Sequence, residues 1–171
     1  MKKIAIAAAL ISIICLLGGC GRSTQTDYTA MDFYSEELGV AFDVPEGYTV
    51  DSSDPDGYVF ICENGRAVPY MMFKKYDFAG GIDDFKAQIK KSVADTFGSS
   101  FKGEQHNNIG GKKVLVLKFS YQLDGYTISD ARCIYEKGGT YYVFTTKEAS
   151  DLGHNLNAEL DFVMKSFIII E

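Results

Sequence analysis

Few side chains in this sequence stand at spacings that chemistry requires, and each of those also has a structural explanation. The run Ser52-Ser53-Asp54-Pro55-Asp56-Gly57-Tyr58-Val59-Phe60-Ile61-Cys62-Glu63 places Asp54, Asp56 and Glu63 around a glycine at calcium-loop intervals. Hard oxygen ligands spaced in this way wrap a divalent cation. However, Ser52 stands where such a loop opens with aspartate, and residues 58–62 read as a strand. A Pro-Asp-Gly turn entering a strand explains the same letters. Cys62 and Cys133 lie in apolar strand-like runs without the two-residue-spaced partner of redox or zinc motifs. They read as two buried free thiols, with a Cys62–Cys133 disulfide as the alternative that an oxidising compartment allows. The chain has 2 histidines, His106 and His154, far apart in sequence, which argues for surface roles over a metal centre. Gly-x-Ser-x-Gly, His-Glu-x-x-His and phosphate-loop motifs do not occur. The expectation is a protein that is not an enzyme and has no cofactor.

A further grouping emerges from the turns. Asn64-Gly65, Gly110-Gly111, Asp124-Gly125 and Gly138-Gly139 are pairs that supply the positive φ angles of tight hairpins. With Asp124-Gly125 as a two-residue turn, Phe119 faces Asp130 and Leu117 faces Arg132. With Gly138-Gly139 as another, Asp130 faces Lys147 and Arg132 faces Thr145. Charges at Asp130, Arg132 and Lys147 then fall on a face otherwise built from Leu115, Leu117, Phe119, Tyr121, Ile128 and Ile134. One explanation is a polar pocket that holds an acidic or basic group. The other is a cross-strand ion pair near the sheet's rim, or a bulge that turns the charges outward.

These positions need a sheet to carry them. Residues 112–123 alternate apolar and polar, and further strands are predicted near 40–44, 58–63, 66–75, 101–109, 126–137 and 140–146. Pro69 has no ladder donor, so strand 66–75 is expected at an edge or with a bulge. Ile82, Phe85, Ile89, Val93 and Phe97 recur at helical spacing, with Asp83 and Asp84 in the first turn and Gly98 as a stop. Leu152, Leu156, Leu160, Val163 and Phe167 form a second stripe, weakened at its start by Gly153. The 11 tyrosines and 12 phenylalanines read mainly as core and sheet packing, with Tyr141, Tyr142 and Phe144 as a possible contact surface. The fold class expected is α+β: an antiparallel sheet of about seven or eight strands flanked by helices.

The N-terminus carries an address. Lys2 and Lys3 precede an apolar run from Ile4 to Leu17, too short to span a bilayer, which takes about 20 residues. A basic segment followed by such a run is a secretion signal. The Leu17-Gly18-Gly19-Cys20 that follows resembles the lipobox of bacterial lipoproteins. That resemblance implies cleavage between Gly19 and Cys20 and a diacylglyceryl group on the Cys20 thiol. Residues 1–19 are then a signal peptide, 20–31 a lipidated flexible tether, and 32–171 a single α+β domain. Losing Lys2 and Lys3 takes the formal charge from −6 to −8, which disfavours nucleic acid and anionic lipid surfaces as partners. Membrane contact is expected through the anchor, on the extracytoplasmic side of the cell membrane.

Within the domain, Tyr34-Ser35-Glu36-Glu37-Leu38-Gly39-Val40-Ala41-Phe42-Asp43-Val44-Pro45-Glu46-Gly47-Tyr48 is similar to the opening of PsbP-like and DcrB-like proteins, with Tyr48 where many relatives have tryptophan. The resemblance extends over most of residues 33–169 and implies an α/β/α sandwich acting as an accessory or partner-binding module, with no shared catalytic set to carry over. The functional expectation is a membrane-anchored accessory lipoprotein that binds another envelope protein through its sheet or loops. A small-ligand carrier or sensor, with an apolar pocket above about 300 Å³ near Asp130 and Arg132, is the alternative, and a hydrolase is third. Two acyl chains on Cys20 would hold the protein stably at a membrane. Replacing that thiol in Cys20→Ser should therefore move the protein from the membrane fraction to the soluble fraction. Mass spectrometry of the wild-type N-terminus should show a diacylated cysteine, and an unmodified mature end would remove the anchor.

Overall fold

A computed structural model of the chain describes residues 28–63 and 68–170. The expected signal peptide, the lipobox-like Leu17–Cys20, most of the expected tether and the Asn64-Gly65 pair lie outside those residues. Tyr28–Ala30, within the segment expected to be a tether, forms a single 3₁₀ turn.

Short strands come first: β1 (Phe33–Ser35), β2 (Val40–Phe42), β3 (Tyr48–Asp51), β4 (Val59–Glu63) and β5 (Tyr70–Asp77). Helix α1 (Ile82–Phe97) precedes a meander of long strands, β6 (Ser100–Ile109), β7 (Lys112–Leu123), β8 (Tyr126–Lys137) and β9 (Thr140–Ala149). Helix α2 (Asn157–Ser166) and the short β10 (Ile168–Ile169) complete the chain. β3 to β9 form one 7-stranded antiparallel sheet in the order β3-β4-β5-β9-β8-β7-β6, and β1-β2-β10 make a second, 3-stranded sheet. The α+β class is therefore as the sequence predicts. The predicted strand 40–44, however, belongs to the small sheet.

The meander follows from its turns. Each hairpin closes on two residues with positive φ: Gly110 and Gly111 at 57° and 79°, Asp124 and Gly125 at 50° and 83°, Gly138 and Gly139 at 64° and 83°. Two positive φ values match the twist of flanking strands and fix the register. α1 is where the apolar period places it, with Phe85, Ile89 and Val93 buried and Gly98 at φ 58° ending it. The C-terminal stripe is interrupted. Ser150–Leu152 form a 3₁₀ turn, Gly153 takes φ 68°, and Leu152 stays exposed. α2 begins only at Asn157, where the Glu148 carboxylate on β9 accepts the Leu156 N–H at 2.9 Å. Pro69 also departs from expectation. β5 lies inside the sheet between β4 and β9, and Pro69 precedes its first residue, so no ladder bond is lost.

The large sheet has a core on each face. α1 packs on Leu115, Leu117, Phe119, Tyr121, Ile128, Ile134, Tyr141 and Val143. On the other face, α2 and the small sheet cover Val59, Ile61, Met71, Phe73, Val114, Val116, Cys133 and Phe144. Phe42 sits at the centre of the latter, with ring centroids 4.8 Å from Phe33, 5.9 Å from Phe73 and 6.1 Å from Phe144. Tyr141, Tyr142 and Phe144 are all buried, so the contact surface considered for them is core.

Gly110 carries a second constraint besides its turn. A Cβ there would meet the backbone of Met164 and Lys165 at 2.4 Å. Gly138 also has positive φ but nothing within 4 Å of such a Cβ. Denaturant melts should show Gly138→Ala costing about 1 kcal/mol from backbone strain alone. Gly110→Ala should cost about 1–3 kcal/mol more, from the clash with α2.

Candidate functional site

The register places the charged residues as the turns require. Phe119 faces Asp130, Leu117 faces Arg132, Asp130 faces Lys147 and Arg132 faces Thr145. The charges lie under the C-terminal end of α1, and neither the rim nor a bulge accounts for them. Asp130 is 1% exposed, and Arg132 and Lys147 are each 8% exposed. The pair lies along one strand: Arg132 Nε donates to Asp130 Oδ1 at 2.6 Å and Nη2 donates to Oδ2 at 2.8 Å. Tyr121 OH adds a bond to Oδ2 at 3.3 Å. A two-pronged, charge-assisted contact of this kind offsets part of the cost of desolvating both ions. Burial opposes the Arg132 charge, but the hydrogen bonds and the negative charge of Asp130 prevail and raise its pKa.

Lys147 is different. Its Nζ lies 4.5 Å from the Phe97 ring centroid, 5.7 Å from Tyr70 and 6.0 Å from Tyr121. Phe97 itself stacks on Tyr121, centroids 4.4 Å apart and planes 8° apart. Among the described residues Nζ has no carboxylate at ion-pair distance and no hydrogen bond, so the rings are its stabilising contacts. Burial lowers its pKa, Asp130 partly restores it, and Arg132 lowers it again. The Tyr70 hydroxyl is pushed up to about 12 by burial and then by Asp130. One carboxylate thus serves two cations, and the cluster keeps one positive charge in excess.

The sheet also separates the two thiols. Cys62 on β4 pairs with Tyr70, on the α1 face, whereas Cys133 on β8 points into the α2 core. β5 and β9 stand between their strands. Both cysteines are free, and the bridge held as an alternative does not form. Burial pushes the Cys133 thiol up to about 12, so it behaves as a small apolar side chain.

The calcium candidates are not brought together. Asp54 accepts the Asp56 N–H at 2.9 Å in a turn, and Glu63 lies at the far end of β4, over 10 Å along an extended strand. Among the described residues no three His, Cys, Asp or Glu side chains are grouped to hold a metal. His106 lies on the exposed β6, and His154 is half-buried before α2, its Nδ1 without a hydrogen-bond partner.

No protein-family model and no curated protein matches this sequence. Solved structures do. The chain is similar to the cyanobacterial PsbP of Synechocystis sp. PCC 6803, CyanoP, at 14% identity and a TM-score of 0.59, over 80% of this chain and 90% of that one. The fold is PsbP-like. A Bacteroides thetaiotaomicron protein matches at 13% identity and a TM-score of 0.60, over 81% of this chain but 48% of its own. LpqN, involved in cell envelope biogenesis of Mycobacterium tuberculosis, matches at 13% identity and a TM-score of 0.52, over 77% of this chain and 83% of its own. Among the described residues no helix is long and apolar enough to cross a membrane.

The charged cluster makes opposite demands on stability. Asp130→Asn strands the buried Arg132 without its anion and should cost about 3–5 kcal/mol in chemical denaturation. Lys147→Met removes a cation with no carboxylate partner and should leave stability unchanged or higher.

Proposed function

We propose that this chain is a lipid-anchored, extracytoplasmic accessory protein, without catalysis, that binds another envelope protein by adding a strand of that partner to β6. The anchor reading rests on Leu17-Gly18-Gly19-Cys20 behind its signal segment. The envelope role of LpqN and the accessory character implied by the PsbP-like resemblance agree with it. The non-catalytic reading rests on the buried cluster itself. Asp130, its only carboxylate, is held through both oxygens by Arg132, so no free base stands beside a nucleophile there.

The observation that carries the binding mode is β6. It is the edge of the 7-stranded sheet, 10 residues long, and no described strand pairs with its outer side. Edge strands are normally blunted by charge, bulges or proline. β6 has such devices only at its start, where Lys102 is the bulged residue between Phe101 and Gly103 and Glu104 follows. From Gln105 to Ile109 it has none. In a two-residue hairpin the residues flanking the turn exchange both backbone bonds, so Ile109 and Asn107 bond inward to Lys112 and Val114. Glu104, His106 and Asn108 therefore turn their N–H and C=O groups outward. An extended segment of a partner completes that ladder.

Proline substitutions separate the two sides of the strand. His106→Pro deletes an outward N–H and should leave the melting temperature within a few degrees, because an edge strand tolerates proline there. Asn107→Pro deletes an inward N–H and should destabilise by about 3 kcal/mol. In-cell crosslinking with mass spectrometry should recover an envelope protein with wild type and lose it with His106→Pro. An unchanged partner set would remove strand addition, and no partner above background would remove the binding role.

A further inference from the structure

α1 does not reach the end of the sheet. Beyond Phe97, on the same face, lies a crevice of about 380 Å³ walled by Val68, Leu123, Tyr126, Ile128, Ala149 and Leu152. That volume falls within the range of small-molecule sites. Three of its walls are unusually bare for their type: Leu123 is 39% exposed, Tyr126 47% and Leu152 57%. The Ser150–Leu152 turn that carries the last of these is pinned to β8, by Thr127 N–H on the Asp151 carboxylate at 2.8 Å and by the Ser129 and Ser150 hydroxyls 2.6 Å apart. The crevice is therefore a built feature of the sheet's end, lying on a face and not on the β6 edge.

The charged cluster does not line the crevice but begins one residue pair beyond its inner end. Ile128 and Ala149 are opposite each other, and the next pair on that face, two residues along each strand and roughly 7 Å further in, is Asp130 and Lys147. Tyr121 faces Ile128, and Tyr70 lies two residues from Val68, so the rings around Lys147 Nζ adjoin the crevice wall. An apolar recess thus ends one residue pair short of a lysine, 8% exposed, whose ammonium has no carboxylate at ion-pair distance among the described residues. The cluster's charge of one excess positive matches a single anion, whereas a doubly charged phosphate would overshoot it. Asp124 also lines the crevice, at its exposed turn, where its charge favours an anion lying inward over one held at the mouth.

We infer that this crevice binds a small monocarboxylate with an apolar tail, the tail against Leu123, Tyr126 and Leu152 and the carboxylate turned inward toward Lys147. This is the small-ligand reading given a site and a ligand class, and it is independent of the β6 edge. Calorimetric titration of the mature full-length chain with hexanoate, octanoate and decanoate tests it. Affinity should rise about three- to fourfold per added methylene. Decanol should bind more weakly than decanoate, by about tenfold or more for loss of the charged head. Lys147→Met should abolish that difference by weakening decanoate alone, and Leu152→Asp, at an exposed position that cannot disturb the core, should weaken both compounds. No saturable binding, equal affinity for acid and alcohol, or undiminished decanoate binding by either variant would overturn the proposal. Should Lys147→Met fail to fold, the Leu152→Asp and decanol comparisons decide. Because His106→Pro leaves the crevice intact, loss of partner capture and loss of carboxylate binding are told apart.

Discussion

The register of the β6–β9 meander decides what every other part of the domain can do. Three two-residue turns with positive φ at both positions lock four long strands so that side chains two apart share a face. A slip of one residue in the Asp124-Gly125 hairpin would carry Asp130 and Arg132 off the α1 face toward the α2 core, and one in the Gly138-Gly139 hairpin would do the same to Lys147. Gly110 ties the same register to the rest of the fold. Its N–H donates to Asp161 at 2.9 Å, and its missing side chain lets α2 lie against the turn. Gly110 and its neighbour Lys112, whose Nζ donates to the Met164 carbonyl, therefore set the β6–β7 turn against the C-terminal helix.

Burying three charges in that interface sets up a contrast between two cations. Arg132 has its carboxylate, in a planar contact that suits the guanidinium fork. Lys147 has aromatic faces and a more distant share of the Asp130 charge, which are weak compensation for a partly desolvated ammonium. A methionine of similar length would fill the same space without the desolvation cost, so packing alone gives no reason for a lysine there. Residues that lower stability without a structural return are where a fold's function is sought.

Much of this was legible in the sequence, for an identifiable reason. Turn residues with obligatory φ values leave almost no freedom, so the meander and its facing pairs could be read from Gly-Gly and Asp-Gly dipeptides. The α1 stripe was equally plain, because Asp83 and Asp84 start it and Gly98 stops it. Asn64-Gly65 misled by the same logic. A two-residue turn there would place Cys62 opposite Ala67, whereas Cys62 faces Tyr70, a shift of three residues that exchanges the faces of β5. With the wrong face, Tyr70 could not be seen as a neighbour of Lys147. The second sheet escaped notice because β1, β2 and β10 have 3, 3 and 2 residues, too few for any period to show. The crevice was missed for a related reason: Leu152 reads as the first member of the C-terminal stripe, and only the positive φ of Gly153 takes it out.

Lengths explain why the uncovered surfaces lie where they do. The 12 residues each of β7 and β8 extend roughly 40 Å, whereas the 16 residues of α1 span about 24 Å and the 10 of α2 about 15 Å. No placement of two such helices can cover both faces of these strands, so part of the sheet must project. The Gly110-Gly111 end is closed by α2, and Tyr141 near the Gly138-Gly139 end is closed by Phe85 and Phe78. The projection is thereby pushed to the Asp124-Gly125 tip, where Leu123, Tyr126 and Leu152 stand with no described helix over them. Antiparallel order adds the other gap. An open sheet has two edges, and here one is the 4-residue β3 while the other is the full length of β6. The same economy of two short helices on long strands thus leaves an apolar recess on a face and an open ladder at an edge. The register then sets the unpaired Lys147 beside the recess and away from the ladder.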